Sequence, residues 1–373
     1  MVIKMLKKSI CVILSLIMCV SLLSACNIGS SGELKGAHIF MFKNTGNAFG
    51  DLMYKGFSKV VSESGERAVY KCPAEPSVAL QVEMLDTLIT QKVASITVST
   101  AGETGYEEVF KRAEKNGIKI ISVDSSASPD YRTTHIEQTN PNQIGTYLIQ
   151  SAVLIALGID YKKDMDMETA VKEQLEKYSG KPLKFGVLTA AVDTPVQNLW
   201  IDCMKEELEK SVYNGKVEKK LDIKYGNDDP TESTTQANAF VAENKVDVII
   251  SPTTIGMASA GQVLKTSSVK IKLTGLGLPS EMQGFMPKSA DDNAFDYVCP
   301  YMMLWNVEEL GEVAAAAVLS ASKGDYDGKE GSVFTYKDKK YETVKSPDGG
   351  TRVIALEPYI FYKENMKDWI SLL

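Results

Sequence analysis

The residues of this sequence best suited to chemistry are hydrogen-bonding side chains placed directly after short apolar runs. The run VDVII at 246–250 is followed by a Pro-Thr-Thr segment at 252–254. Another run, KIISV, is followed by Asp124, and HIFMF is followed by Lys43. These polar groups are mostly neutral, with one lysine and a few carboxylates among them. Such groups predict the binding of a ligand rich in hydroxyl groups.

The full set of candidate binding residues shares one position in the pattern. Each stands at the end of a predicted strand or on the helix that follows it. Carboxylates and amides would pair the hydroxyls of a sugar, while aromatic rings would cover its apolar C–H face. The candidates are Lys43, Asn44, Phe49, Asp124, Gln197, Trp200, Pro252, Thr253, Thr254, Leu278 and Trp305.

Each candidate also has a purely structural interpretation. Asp124 can cap the turn after its strand, and Lys43 can be a solvated surface residue. The two tryptophans can be core residues of helices, and the two threonines can cap the helix that follows them. Their common position at one edge of the predicted sheets favours a binding site.

The elements that must position these residues alternate between strand and helix in two sets. The first set runs from a strand at 37–42 to one at 118–125, and the second runs from 183–190 to 271–277. This alternation predicts parallel sheets with right-handed crossovers, in which ligands bind beyond the carboxyl ends of the strands. We therefore predict an α/β fold made of two doubly wound lobes.

Three further stretches complete the chain. Residues 156–181 are charged and predict an exposed helical excursion from the second lobe. Residues 305–324 predict one long helix with an alanine-rich face that packs closely on a neighbour. The tail at 331–358 predicts short strands separated by turns.

The N-terminus has the features of an export signal. Three lysines precede an uncharged apolar run of about 15 residues, which is too short for a stable transmembrane span. The sequence LSAC then ends at Cys26 and resembles the lipobox of bacterial lipoproteins. It implies a signal peptide at 1–25, lipidation of Cys26 and a flexible tether at 26–36. The alternative is a plain signal peptide cut near Ala25.

Charge and composition disfavour several classes of function. Removing the three lysines of the signal changes the net charge from −7 to −10, which disfavours nucleic-acid binding. The two histidines are too few for a histidine-rich metal site. Cys72, Cys203 and Cys299 allow one disulfide at most. No nucleophile elbow, phosphate loop or dinucleotide-binding motif occurs, so we expect neither metal nor cofactor.

Several segments in register resemble one family along nearly the whole chain. They are similar to the rhamnose-type and autoinducer-2-type branch of bacterial sugar-binding proteins of ABC importers. The segments are KNTGNAFGDLMYKG, IISVDSSASPDYRTTHIEQTNPNQIG, QNLWIDCMKEEL, SPTTIGMASAGQVL, TGLGLPSEM and LWNVEELGEVAAAA.

The resemblance implies the fold of type I periplasmic binding proteins, with two α/β lobes that close on a monosaccharide-sized ligand. Three crossovers would join the lobes near Gln138, near 301–304 and near Asp325. The implied N-terminal lobe comprises 37–138 plus 303–326, and the C-terminal lobe comprises 139–302 plus 327–373.

The resemblance also implies roles for residues that match the family. Lys43 and Asp124 would bind the ligand from the first lobe, and Gln197 would bind it from the second. Phe49 and Trp305 would form aromatic walls of the cleft. The main chain at Pro252 and Thr254 would face the ligand.

One position departs from the autoinducer-2 binders. Where those proteins have an Asp-Gln pair, this sequence has Val196 and Gln197. The missing carboxylate removes an acceptor for the hydroxyls of the furanosyl ligand, so the sequence favours an ordinary sugar. Asp193, three residues earlier, is an alternative source of that carboxylate.

The leading hypothesis is a solute-binding lipoprotein at the outer face of the bacterial cytoplasmic membrane. The protein, a monomer, would close on a monosaccharide such as rhamnose and deliver this sugar to the membrane subunits of an ABC permease. Binding of autoinducer-2 and signalling to a membrane receptor are alternatives. A glycosidase using Asp124 with Asp193 or Asp51 is disfavoured because no catalytic motif is present. The export signal and the lack of a helix-turn-helix region exclude a transcription regulator.

Overall fold

The structure is a computed structural model that describes residues 34–373. The predicted signal peptide at 1–25, the lipidation site Cys26 and most of the tether at 26–36 lie outside the described residues. Among the helices between residues 34 and 373, none combines the length and the hydropathy that a membrane span requires.

The first lobe is built on parallel strands alternating with helices. Its elements up to residue 137 are β1 (His38–Met41), α1 (Ala48–Glu63), β2 (Ala68–Tyr70), α2 (Val78–Thr90), β3 (Ser95–Val98), α3 (Glu107–Lys115), β4 (Lys119–Val123) and β5 (Thr134–Glu137). The strands lie in the order β5-β4-β3-β1-β2. Because β1, β3 and β5 are buried at every position, helices must cover both faces of this sheet.

The second lobe repeats the same construction around a smaller sheet, with strands in the order β7-β6-β8-β9. Its elements are α4 (Pro141–Ala156), α5 (Met167–Lys177), β6 (Phe185–Thr189), α6 (Pro195–Leu208), β7 (Asp222–Tyr225), α7 (Pro230–Glu243), β8 (Val248–Ser251), α8 (Thr254–Thr266), β9 (Lys272–Gly275), α9 (Pro279–Met282) and β10 (Met302–Leu304). The four strands of the sheet are parallel. The predicted class, α/β with two doubly wound parallel-sheet lobes, is therefore confirmed.

The chain then returns to the first lobe through α10 (Val307–Lys323), which packs along α1. Two glycines lie where these helices meet. A Cβ atom on Gly311 would lie 1.8 Å from the carbonyl oxygen of Met53, and one on Gly56 would lie 1.9 Å from that of Glu308. The two helix backbones are therefore in direct contact, and no other residue type fits at either position without moving a helix.

The C-terminal segment differs from its prediction. It contains β11 (Val333–Tyr336), β12 (Lys339–Glu342), β13 (Val344–Lys345), β14 (Thr351–Ile354), β15 (Tyr359–Phe361) and α11 (Met366–Trp369). β14 pairs in parallel with β5, and β13 pairs with β14, so both strands extend the first sheet. The assignment of 327–373 to the second lobe is therefore wrong up to residue 354.

The third crossover follows β14 and does not lie near Asp325. Beyond it, β15 pairs with β10 of the second lobe. The crossover runs beside the first one, because Ala355 N–H donates to the carbonyl of Glu137 at 2.8 Å and Leu356 N–H donates to that of Gln138 at 2.9 Å. Local periodicity could not predict this, since β5 and β14 are distant in sequence.

Strand β5 carries two buried titratable side chains next to this hinge. Burial raises the pKa of Glu137 to about 7, although Arg352 opposes the shift. Burial also lowers the pKa of His135 to about 3. Between pH 4.5 and about 7, Glu137 is protonated in the folded protein but ionised in the unfolded chain. Between pH about 3 and 6.5, His135 is neutral in the folded protein but protonated in the unfolded chain. The two effects on stability oppose each other where these ranges overlap.

We expect Glu137→Gln to expose the contribution of His135. In the wild-type protein, the Glu137 contribution falls as pH rises from 4.5 to about 7, because folding keeps the carboxyl protonated. Without it, the free energy of unfolding should rise relative to wild type by about 1 kcal/mol per pH unit in this range. Urea unfolding of both proteins at several pH values measures the difference. Parallel curves for the two proteins would contradict the shift.

Candidate ligand-binding cleft

A cavity of about 370 Å³ lies between the carboxyl ends of the two sheets. The loops after β1, β4, β7 and β8 contribute to it, as do the first turns of α1 and α6. The lining residues are Phe42, Lys43, Asn47, Phe49, Asp124, Gln197, Trp200, Asp228, Pro252, Thr253, Thr254, Leu276, Leu304 and Trp305.

Nine of the eleven predicted site residues line this cavity, and Asn44 and Leu278 do not. Asn44 lines a separate opening at the mouth of the cleft, and its amide donates to the carbonyl of Thr45 at 3.3 Å. Leu278 is fully buried immediately before α9, whereas Leu276, two residues earlier, lines the cavity. Position near a strand end was thus sufficient to select the loop, but it could not select the side chain that faces inward.

A buried ion pair from the first lobe occupies one side of the cavity. Lys43 Nζ lies 2.9 Å from Asp124 Oδ2, and both side chains are almost fully shielded from solvent. Ser99 Oγ donates to the same oxygen at 2.7 Å, while Asp124 Oδ1 has only a 3.4 Å contact from Gln138 Nε2. Asp124 Oδ1 can therefore accept a hydrogen bond from a ligand hydroxyl, and Lys43 retains donors beyond the one used by Asp124.

The strand ends that carry this pair are fixed by Gln81 of α2. Its Nε2 donates to the carbonyls of Phe42 and Ser99, at 3.1 and 3.0 Å. Its Oε1 accepts from the Ala101 N–H at 2.9 Å. This buried amide ties the end of β1 to the end of β3, so the backbone next to Lys43 is held by hydrogen bonds that need no ligand.

Asp228 supplies a second buried carboxylate, from the second lobe, and the sequence analysis missed it. Thr253 Oγ1 donates to its Oδ1 at 2.7 Å. Burial raises the pKa of Asp228, while Lys43 and the bond from Thr253 lower it, and Asp124 raises it further. The loop after β7 was among the strand ends left out of the predicted site, because the sequence DDP at 228–230 predicts the start of a helix, with Asp229 as its N-cap. Asp229 does cap α7, accepting from Glu232 N–H at 2.8 Å.

Both carboxylates stand on backbone in the left-handed region. The φ angle is +62° at Asp124, +50° at Asp228 and +54° at the preceding Asn227. Asn and Asp tolerate this region better than other non-glycine residues, but it remains sparsely populated. Such conformations persist where surrounding structure imposes them, and they are common in ligand-binding loops.

Gln197 from the first turn of α6 faces the ion pair from the second lobe. Its Oε1 accepts from Thr189 Oγ1 at 2.6 Å and from Ala190 N–H at 2.7 Å. These bonds fix the orientation of the amide, and the Nε2 group is the part of the side chain that remains available to a ligand.

The opposite wall of the cavity is aromatic. Phe49 and Trp305 meet edge to face with ring centroids 6.1 Å apart, and Trp200 lies 5.8 Å from Trp305. The indole Nε1 atoms of both tryptophans are buried and have no hydrogen-bond partner among residues 34–373. Both rings are core residues in burial, as the structural interpretation held, and they also line the cavity. Their unpaired N–H groups are donors for a ligand that enters it.

Comparison with known proteins identifies the family. A profile of the periplasmic binding protein domain matches residues 38–325. The chain belongs to the periplasmic binding protein family. Its two parallel-sheet lobes are the type I fold of these proteins.

Several solved structures resemble this periplasmic binding protein over most of its length. An ABC transporter solute-binding protein from Clostridium phytofermentans, with bound L-rhamnose, is 28% identical with a TM-score of 0.78, covering 91% of this chain and 99% of that chain. LsrB from Clostridium saccharobutylicum, in complex with AI-2, is 20% identical with a TM-score of 0.75, covering 89% and 99%. A solute-binding protein from Burkholderia graminis, in complex with D-arabinose, is 19% identical with a TM-score of 0.66, covering 90% and 99%. This protein is thus a member of a family of transport receptors that are not enzymes.

The Pro-Thr-Thr segment brings the N-terminus of α8 to the cleft of the binding protein. Thr253 is the N-cap residue of α8, but its side chain makes no capping bond and donates to Asp228 instead. Pro252 has no N–H to satisfy. The first-turn amides of α8 therefore lack a side-chain cap and are available to oxygen atoms of a ligand.

Asp193 does not supply the carboxylate missing at Val196. It lines an opening at the mouth of the cleft and not the enclosed cavity. Its Oδ2 would lie 3.0 Å from a Cβ on Gly102 of the first lobe, so it approaches that lobe across the mouth. The carboxylate that the second lobe contributes to the cavity of this binding protein is Asp228.

The titratable side chains of residues 34–373 form no cluster suited to a metal ion. Within the same range Cys72, Cys203 and Cys299 are free thiols.

Proposed function

We propose that this binding protein captures a neutral monosaccharide, L-rhamnose or a closely related 6-deoxy sugar, and delivers it to an ABC import permease. The observation that carries the proposal is the arrangement of Lys43, Asp124 and Asp228 opposite two buried indoles. Buried carboxylates and amines built for hydroxyls discriminate strongly, because a ligand that lacks a hydroxyl leaves them unpaired. The L-rhamnose bound to the Clostridium phytofermentans protein supports the choice of sugar.

Capture is proposed to proceed by hinge closure. Asp124 and Lys43 belong to the first lobe, whereas Asp228 and Gln197 belong to the second, so a ligand touches both groups only when the lobes approach. Such a ligand binds the closed state more tightly and shifts the population toward it. The three crossovers supply the hinge, and the permease would bind the closed form.

Export and anchoring complete the proposal. Cys26 would carry the lipid at the outer face of the cytoplasmic membrane. Residues 26–36 would act as a flexible tether that lets the two lobes move relative to this anchor.

Autoinducer-2 is the second candidate ligand, and one observation favours it. Asp228 places in the cavity a second-lobe carboxylate of the kind that Val196 removes. It does so from a different loop, however, and therefore meets a different edge of the ligand.

A thermal unfolding screen of the purified protein tests the proposal. L-Rhamnose, D-fucose, D-arabinose, D-glucose and autoinducer-2 are compared, with the acyclic polyol D-glucitol as control. A ligand at about a hundredfold excess over its dissociation constant should stabilise the protein by about 2.7 kcal/mol. We expect L-rhamnose to give the largest shift and D-glucitol to give none. If none of the sugars shifts the unfolding temperature, the proposal is overturned. If only autoinducer-2 shifts it, autoinducer-2 takes the place of L-rhamnose as the ligand.

A further inference from the structure

A second cavity, of about 470 Å³, adjoins the ligand cavity on the side of the hinge. Asp124 lines both cavities. The neighbouring residues Val196 and Gln197 on α6 divide between them, with Val196 lining the second cavity and Gln197 the first. The two spaces thus meet at the Asp124 side chain and the first turn of α6.

The polar side of the second cavity contains hydrogen-bonding groups that the protein leaves unused. Glu137 is 3% exposed, and its Oε1 is buried with no hydrogen-bond partner among the described residues. Arg352 Nη1 lies 3.4 Å from Glu137 Oε2, while Arg352 Nε is buried and unpartnered. One acceptor and one donor therefore stand side by side at this wall. An unpaired buried polar group is costly, so the pair indicates that something else completes it.

The opposite side is apolar and belongs to the second lobe. Pro195, Val196 and Leu199 of α6 line it, whereas Glu137 and Arg352 belong to β5 and β14 of the first lobe. Carboxylates outnumber guanidinium groups in the lining, which disfavours an anion. A polar wall for hydroxyls opposite an apolar wall for C–H groups is the combination that a sugar ring requires.

We propose that the second cavity binds a second sugar unit, so that the protein accepts the proposed monosaccharide and binds more tightly a disaccharide that contains it, with the glycosidic oxygen beside Asp124. This inference rests on the proposed function, because the first unit occupies the cavity already described. Hydroxyls of the second unit pair with Glu137 Oε1 and Arg352 Nε. The absence of a carboxylate at Val196 then has a function, since an aspartate there would place a charge on the apolar wall.

Isothermal titration calorimetry with L-rhamnose, rutinose and neohesperidose tests the proposal. Both disaccharides carry L-rhamnose joined to glucose, through different hydroxyls. We expect at least one of them to bind at least tenfold more tightly than L-rhamnose. Leu199→Phe, which fills the second cavity from a half-buried position, should abolish this preference while changing L-rhamnose affinity less than about twofold.

Glu137→Gln provides a second variant that keeps the shape of the cavity. It should weaken disaccharide binding about fivefold or more and leave L-rhamnose binding unchanged. The matched control is Glu75→Gln, which neutralises an exposed carboxylate at the mouth of the cleft and should alter neither ligand.

The outcomes separate the two proposals. If L-rhamnose binds and neither disaccharide binds more tightly, the second cavity holds only water and the disaccharide proposal is overturned, while the proposed function stands. If Leu199→Phe and Glu137→Gln weaken both classes of ligand equally, the second cavity does not select the ligand and the proposal also fails. If no sugar binds to the wild-type protein, the proposed function fails and the disaccharide proposal fails with it.

Discussion

Replacing Asp124 by asparagine is expected to weaken the binding of L-rhamnose between about 10- and 100-fold. The change removes the charge from the acceptor that the Lys43 and Ser99 bonds orient. Hydrogen bonds to charged groups contribute about 1.5 to 3 kcal/mol, and each 1.4 kcal/mol corresponds to a tenfold change in affinity. Isothermal titration calorimetry of the variant and the wild-type protein measures the loss.

Asparagine is the informative substitution because it keeps the fold of the loop. At φ +62° an alanine would add backbone strain to the loss of the carboxylate, whereas asparagine tolerates this region. Asp228 still lies close enough to act electrostatically with Lys43, so the lysine is not left without a nearby carboxylate. Asp193→Asn, at the mouth, is the control and should bind normally. If the affinity of the Asp124→Asn protein for L-rhamnose is within threefold of the wild-type affinity, Asp124 does not bind the ligand.

Gly311→Ala is expected to destabilise the protein by about 3 kcal/mol or more. The new methyl group would lie 1.8 Å from the carbonyl oxygen of Met53, which belongs to the backbone and cannot rotate away. Overpacking usually costs about 1 to 3 kcal/mol, and the rigid contact places this case at the upper end or beyond. The better helix propensity of alanine returns at most about 1 kcal/mol. Urea unfolding monitored by circular dichroism measures the difference.

Two further variants test the cause of this loss. Gly284→Ala is the matched control, because its methyl group meets nothing closer than Lys265 Nζ at 3.9 Å and should leave stability nearly unchanged. The double variant Gly56→Ala, Gly311→Ala should lose less than the sum of the single losses, since one separation of α1 from α10 relieves both contacts. Additive losses, or a stable Gly311→Ala protein, would show that the helices do not meet as described.

The alternation of strands and helices was sufficient to predict the two lobes. The hydrophobic periodicity of each strand and of the helix that follows it can be recognised within a short window of sequence. The predicted strand around 246–250 appears as β8, and the predicted helix at 305–324 appears as α10. The pairing of β14 with β5 could not be predicted in this way. The pairing joins segments from distant parts of the chain. Both strands are short, and the sequence pattern of a short strand does not indicate which sheet it extends.

The sequence was sufficient to predict which loops form the site, but not every side chain that lines it. The strand-end rule selected Asp124, Gln197 and the Pro-Thr-Thr segment, all of which line the cavity. Asp228 was missed because its neighbour Asp229 explained the local sequence fully as a helix cap. An Asn-Asp pair after a strand is a usable signal, since these residues tolerate the left-handed backbone that turns a carboxylate inward.

The position of β14 also governs the order in which the protein can mature. The largest sheet of the molecule includes β1 to β5 and, much later in the sequence, β13 and β14, and the four-stranded sheet of the second lobe is inserted between them. During vectorial synthesis the four-stranded sheet of the second lobe can form as soon as β9 has emerged, whereas β5 gains its outer neighbour only when β14 has been made. Until then the nascent chain carries an incomplete sheet, with β5 as an open edge that can pair with other chains.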